Sequence, residues 1–135
     1  ARSAVVSLRG RLEAELAQLP PDEVALFMEE YGVSELGLNR VIRLSYDLLG
    51  LLSFYTVGED EVRAWRVRRD ATAVEAAAAI HSDLARGFIR AEVIGVEELL
   101  ALGGMAGARA AGRLRLEGKQ YRVQDGEIVH VKFNV

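Results

Sequence analysis

The sequence contains no cysteine, which excludes disulfides, thiolate metal sites and thiol nucleophiles. It has only two histidines, His81 and His130. Neither has a second histidine or a cysteine at ligand spacing, so no metal site is expected. Lysine is scarce as well, two against 15 arginines, a bias that reads first as genome composition or heat tolerance. The most apolar run, LLGLLSFYTV from 48 to 57, is shorter than the roughly 20 residues that span a bilayer, and Gly50 interrupts it. The first residues become charged too early to form the apolar centre of a secretory leader, so a cytoplasmic location is expected. A phosphate-binding GxxxxGK[ST] loop is missing too. Gly118-Lys119 has no such loop before it and reads as a turn, so the chain alone is expected to hydrolyse no nucleotide, and no catalytic residue is assigned. The six serines fall in no nucleophile-elbow pattern. The carboxylate groups Glu29-Glu30, Glu59-Asp60-Glu61 and Glu97-Glu98 read as solvated surface.

What is present suffices for one ordinary core or two small ones: 135 residues, half of them hydrophobic, with no sign of intrinsic disorder. The charge is uneven. Up to Glu61 there are 5 basic and 11 acidic residues, and after it 12 and 9. The two parts therefore carry −6 and +3, and the second is the candidate surface for RNA phosphates.

Periodicity divides the chain near Gly50. Before it, Ala4-Val5-Val6-Ser7 reads as a short strand. Leu8, Leu12, Leu16 and Leu19 read as a helix stopped by Pro20-Pro21. Val24, Phe27, Met28 and Tyr31 mark a second helix, ended by Gly32. A third, capped by Ser34, carries Leu38, Val41, Ile42, Leu48 and Leu49 and closes at Gly50. Three short amphipathic helices behind a lone strand do not make a convincing domain, so their apolar faces are expected to dock against something else. After Gly50 the pattern becomes extended: LLSFYTV, a GEDE turn and VRAWRV make a hairpin. Thr72 and Glu75 form a capping box before an alanine-rich helix. HSDLARG reads as a turn, with His81 ending the helix and meeting Ser82 or Asp83. FIRAEVI is a third strand, followed by two helical pieces divided by Gly103-Gly104. A closing meander turns at Glu117-Gly118-Lys119 and Asp125-Gly126. This order predicts an α+β fold, a β-grasp (ubiquitin-like) sheet around one helix.

The blocks LGLNRVIRLSYDLLGLLSFYTVGEDEVRAW, IHSDLARGFIRAEVI and RLEGKQYRVQDGEIVHVKFNV, in that order, resemble the C-terminal third of Obg-like ATPases of the YchF type. The resemblance covers about 100 of the 135 residues. It implies a longer protein with a P-loop G domain that hydrolyses ATP or GTP with magnesium and associates with ribosomes. In that picture residues 1–50 are the terminal strand and helices of the nucleotide-binding domain, which would be the partner of the apolar faces, and 51–135 are a TGS domain. Val6, Ser7 and Leu8 become the candidate loop that touches the nucleotide base. Leu8 departs from the alanine usual there, and Arg66 and Leu84 replace the usual threonine and phenylalanine. No cofactor is assigned to this stretch itself.

Within 51–135 the basic residues open to RNA include Arg68 and Arg69 on the hairpin, and the selected candidate contacts to RNA phosphate are Arg63, Arg66, Arg86, Arg90, Lys119, Arg122 and Lys132, acting without base specificity. Ribosome or RNA is the expected partner, with neither membrane nor DNA. Trp65, Tyr55, Tyr121 and Phe133 read mainly as packing residues, with one or two available for base stacking. The alternative is a regulatory β-grasp domain that binds a small ligand, whose binding, unlike that of RNA, would not weaken steeply with salt.

Overall fold

A computed structural model describes residues 3–134. The chain forms two compact units, 1–49 and 50–135.

The first unit holds helices α1 (Gly10–Leu16), α2 (Pro21–Glu30) and α3 (Gly37–Leu49). Pro21 opens α2 at a position where a missing N–H costs nothing. Gly32 and Gly50 end α2 and α3 at positive φ, where a side chain would be strained. Two sequence expectations change here. Ala4 to Ser7 form no strand, because a strand requires a neighbour for its backbone bonds and none pairs with them among the described residues. Ser34 does not cap α3. The cap comes from α1, where the Glu13 carboxylate accepts the Gly37 N–H at 2.7 Å. A Cβ on residue 37 would meet that carboxylate and the tip of Leu8, so glycine permits the contact. Leu16 is the only hydrophobic side chain fully buried in this unit among the described residues. Leu26, Tyr31, Leu38, Ile42 and Leu49 are exposed.

The second unit contains β1 (Leu51–Val57), β2 (Val62–Arg68), α4 (Ala73–Ile80), α5 (Ser82–Arg86), β3 (Phe88–Gly95), α6 (Val96–Ala101), α7 (Met105–Ala110), β4 (Arg115–Glu117) and β5 (Glu127–Phe133). The strands form one mixed sheet in the order β2-β1-β5-β3-β4. β1 and β5 run parallel, and the other neighbours are antiparallel. The expected closing meander is absent: β4 and β5 lie on opposite sides of β3 and do not pair with each other. The segment between them runs along the start of α4 instead. Tyr121 C=O accepts the Ala73 N–H, and Val123 N–H donates to Ala71 C=O. The Asp125-Gly126 turn then clamps β1, with Ser53 N–H donating to Asp125 Oδ1 and Gly126 N–H to Ser53 C=O, both at 2.8 Å.

Helix α4 lies across one face of the sheet. Its capping box is complete: Thr72 Oγ1 accepts the Glu75 N–H, and Thr72 N–H donates to Glu75 Oε2. The bond from the Thr72 backbone holds the Glu75 carboxyl below its ordinary value. Ala73, Ala76 and Ala77 are fully buried against Leu52, Phe54, Phe88, Ala91, Val93 and Val129. Small side chains let the helix backbone approach the sheet closely, and the large residues come from the strands. HSDLARG forms the short helix α5 rather than a turn. His81 joins the two helices, its Nδ1 accepting the Asp83 N–H at 3.1 Å.

A second, smaller core lies on the opposite face, where α6 and α7 cover Ile94 and Ile128 with Leu99 and Ala108. The helical insert is therefore what closes one end of that face.

At the edge of the first core the Tyr121 hydroxyl donates to Glu127 Oε1 at 2.6 Å. Burial first, then the hydrogen bond to Glu127 and its charge, push the Tyr121 pKa from 10.0 up to about 12. The folded state thus holds this proton more tightly than the unfolded one. The associated stability is complete below pH 10 and falls as pH rises from 10 towards about 12. Urea midpoints across that window are expected to fall less steeply in Tyr121→Phe, which has no proton to lose.

Candidate functional site

The strand register assigns each sequence-level candidate to a face. Arg66 lies opposite Ser53 and Arg90 opposite Lys132. Alternation from the buried residues Leu52, Phe54, Ala91 and Val129 puts Arg66, Arg90 and Lys132 on the face away from α4. Arg68, His130 and Glu92 share that face by the same alternation. Arg109 reaches it from α7, its Nη2 3.4 Å from Glu92 Oε2.

The other four candidates lie elsewhere and, Lys119 apart, have contacts within the fold. The Arg63 guanidinium sits 4.4 Å from the centre of the Trp65 ring, on the α4 side of the sheet. Trp65 is itself held by Nε1 donating to Thr56 Oγ1 at 2.9 Å. Arg86 pairs with Asp83 at 2.8 Å on α5. Arg122 Nη1 donates to the Asp70 carbonyl, and Lys119 lies in the connection beside the start of α4, where its C=O accepts the Val74 N–H. Arg66, Arg68 and Arg90 have no ion-pair partner among the described residues.

The open face is thus basic and only partly covered. Lys132 and Arg109 are each about half exposed, while Glu92 between them is mostly covered. The imidazole of His130, opposite Glu92 across the strand pair, is held below its ordinary pKa, first by partial burial and then by the Lys132 charge. Near neutral pH it is uncharged. Arg109 and His130 were not among the sequence candidates, and Arg68, noted on the hairpin, was not one of the seven. Arg68 was legible from its period-2 relation to Arg66, but Arg109 belongs to a helix whose docking face only the fold defines. Such a surface suits a polyanion held through its phosphates. No group of three or more metal-ligating side chains occurs among the described residues, and no described helix is long and apolar enough to cross a membrane.

In the first unit, Ser7 lines a polar cavity of about 230 Å³ with Arg9, Glu13, Ser34, Glu35 and Arg40. Val6 is half-buried, and Ser7 and Leu8 are exposed, with the Leu8 tip beside Gly37.

Residues 51–134 match the YchF-GTPase_C family model, described as "Protein of unknown function (DUF933)". The chain belongs to the YchF C-terminal family. It is 52% identical over 131 residues to the ribosome-binding ATPase YchF of Bacillus subtilis, covering 97% of this chain and 36% of the relative. The protein of the same name from Haemophilus influenzae is 50% identical over 133 residues, 98% of this chain and 37% of the relative. The chain therefore spans little more than a third of the length of these relatives. Among solved structures, the Schizosaccharomyces pombe YchF GTPase superposes with a TM-score of 0.75 at 30% identity, over 87% of this chain and 31% of that one. A GTP-binding protein from Pyrococcus horikoshii shares the fold, with a TM-score of 0.51 at 22% identity over 82% of this chain and 30% of that one.

Proposed function

We propose that this chain is the C-terminal part of a ribosome-associated, cytoplasmic protein that binds and hydrolyses ATP or GTP with magnesium, and that residues 51–135 are its RNA-binding TGS domain. The mixed sheet order with a parallel β1–β5 pair and one helix across a face supports the β-grasp assignment. The observation that carries the RNA reading is the gathering of Arg66, Arg68, Arg90, Lys132 and Arg109 on one open face, from four separate elements. That placement narrows the seven candidate contacts to Arg66, Arg90 and Lys132 and adds two. No exposed aromatic lies among them, so binding runs through phosphates without reading bases, and RNA rather than DNA follows from the ribosome-binding relatives.

The exposed apolar side chains of residues 1–49 take the rest of a G domain as their partner, and Val6, Ser7 and Leu8 are its base-contacting loop. Coupling is by linkage: if nucleotide state alters how the G domain meets residues 50–135, ribosome and nucleotide affinities change together.

The test is titration of the chain with a fluorescein-labelled RNA hairpin at stepped KCl concentrations. Replacing Arg66, Arg90 and Lys132 together by glutamine is expected to reduce the slope of log K against log[salt] by about 3 and to weaken binding by at least tenfold. Unchanged affinity and slope would reject the sheet face as the binding surface.

A further inference from the structure

We propose that Glu92 is an internal counter-ion occupying a phosphate subsite on the sheet face, so that RNA binds by displacing its carboxylate from Lys132 and Arg109. This rests on the RNA reading above and assigns a residue that limits its affinity.

Glu92 Oε2 lies 3.4 Å from Lys132 Nζ and 3.4 Å from Arg109 Nη2. One oxygen thus serves two cations. Both distances exceed the 2.7–2.9 Å or so of a strong charge-assisted bond, so neither contact is tight. The Glu92 side chain is 14% exposed, whereas those of Lys132 and Arg109 are 45% and 59% exposed. The cations stay open to solvent and to a ligand, while the carboxylate is set beneath them. Arg90, directly across from Lys132, supplies a further positive charge with no acidic partner among the described residues. The neighbouring His130 is uncharged near neutral pH, and β4 offers only apolar Leu116 opposite Glu92.

A phosphodiester carries the same single negative charge as a carboxylate and likewise presents two oxygens that carry it. It therefore competes with Glu92 for the same two cations. While the Glu92 carboxylate lies beneath them, it neutralises part of the charge offered to RNA and repels the entering phosphate. The local balance decides affinity, and among the described residues Glu92 is the one acidic group on this face that contacts its cations.

The experiment compares the chain with Glu92→Gln, Arg109→Gln and the double variant, using the same RNA hairpin at stepped KCl, with urea midpoints recorded for each. Glu92→Gln keeps the shape and removes the charge. Binding is expected to tighten on the order of tenfold and the salt slope to steepen by about 1. Arg109→Gln is expected to cost little in the original chain and several-fold more in the Glu92→Gln background, because its charge is then free for phosphate. Should Glu92→Gln be poorly folded by its urea midpoint, Glu92→Thr supplies the neutral side chain in a residue suited to a strand. If binding depends on Arg66 and Arg90 but is unchanged or weakened by neutral substitution at Glu92, the subsite is rejected and the RNA face stands. If the original chain and the variants all fail to bind RNA, the face itself is rejected and the subsite with it.

Discussion

Replacing Glu127 by alanine is expected to cost this chain about 3–5 kcal/mol of folding stability, read as a lower urea midpoint with little change in slope. Glu127 opens β5 and is 6% exposed. Its carboxylate is fully engaged: Oε1 accepts from Arg115 Nη2 and from the Tyr121 hydroxyl, both at 2.6 Å, and Oε2 accepts the Gln124 N–H at 2.8 Å. No buried side-chain polar atom lacks a partner among the described residues. Truncation at 127 would create such orphans: a tyrosine hydroxyl and a backbone N–H lose their acceptor, and the guanidinium loses the closer of its two counter-charges, keeping Glu117 at 3.3 Å. A buried group stripped of its partner pays its full desolvation, which is why the loss exceeds the net value of the bonds. Arg115 is 46% exposed and can rehydrate, so the result should fall towards the lower end. Glu127→Gln, which keeps an acceptor oxygen, is expected to lose less. The single tryptophan, Trp65, lies in the same unit, so its fluorescence reports this unfolding.

Phe54→Ala is expected to be comparably damaging, about 3–5 kcal/mol, and by a different mechanism. Phe54 is fully buried at the middle of β1, and the helix facing it presents Ala73, Ala76 and Ala77. Alanines have no side-chain freedom with which to fill a cavity, and collapse would require α4 to move against its capping box and its bonds to residues 121–123. The cavity therefore persists and the cost includes it. Because Phe54 lies directly opposite Trp65 across the hairpin, fluorescence is perturbed locally, and circular dichroism is the appropriate probe. A conservative Phe54→Leu is expected to recover more than half of the loss.

Much of the second unit was legible in the sequence because its signals are local. The hairpin appears in the change of period after Gly50. The start of α4 appears in Thr72 and Glu75, whose side chains reach only three residues. The two helical pieces appear around Gly103-Gly104, both at positive φ. HSDLARG, read as a turn, coils into α5 through local bonds, but three other errors were cases in which a distant segment decided the outcome. Ser34 is an ordinary capping residue by type, yet α3 is capped by Glu13, 24 residues away. Ala4 to Ser7 have a strand's composition, but composition supplies no partner strand. The final strands looked like a meander because sequence shows that strands exist and not which neighbour each takes.

The same limit applies to the basic surface. Alternation within a strand separates Arg63 from Arg66 without any structure. It does not reveal that the face bearing Arg66 is the uncovered one, nor that Lys132 and Arg90 stand side by side, nor that Arg109 arrives from a helix to share Glu92 with Lys132.

The sequence by itself determined the local pieces: the helix stops, the capping box, the strand faces, the absence of a phosphate loop and the family, carried by ordered blocks of residues. Their causes act over a few residues, through backbone sterics and short side-chain bonds. Only the tertiary structure decided strand order, the open face and the acid set among its cations. Those depend on which distant segments meet, and the free energy that selects one pairing over another comes from burying surfaces jointly, a quantity that no single segment carries.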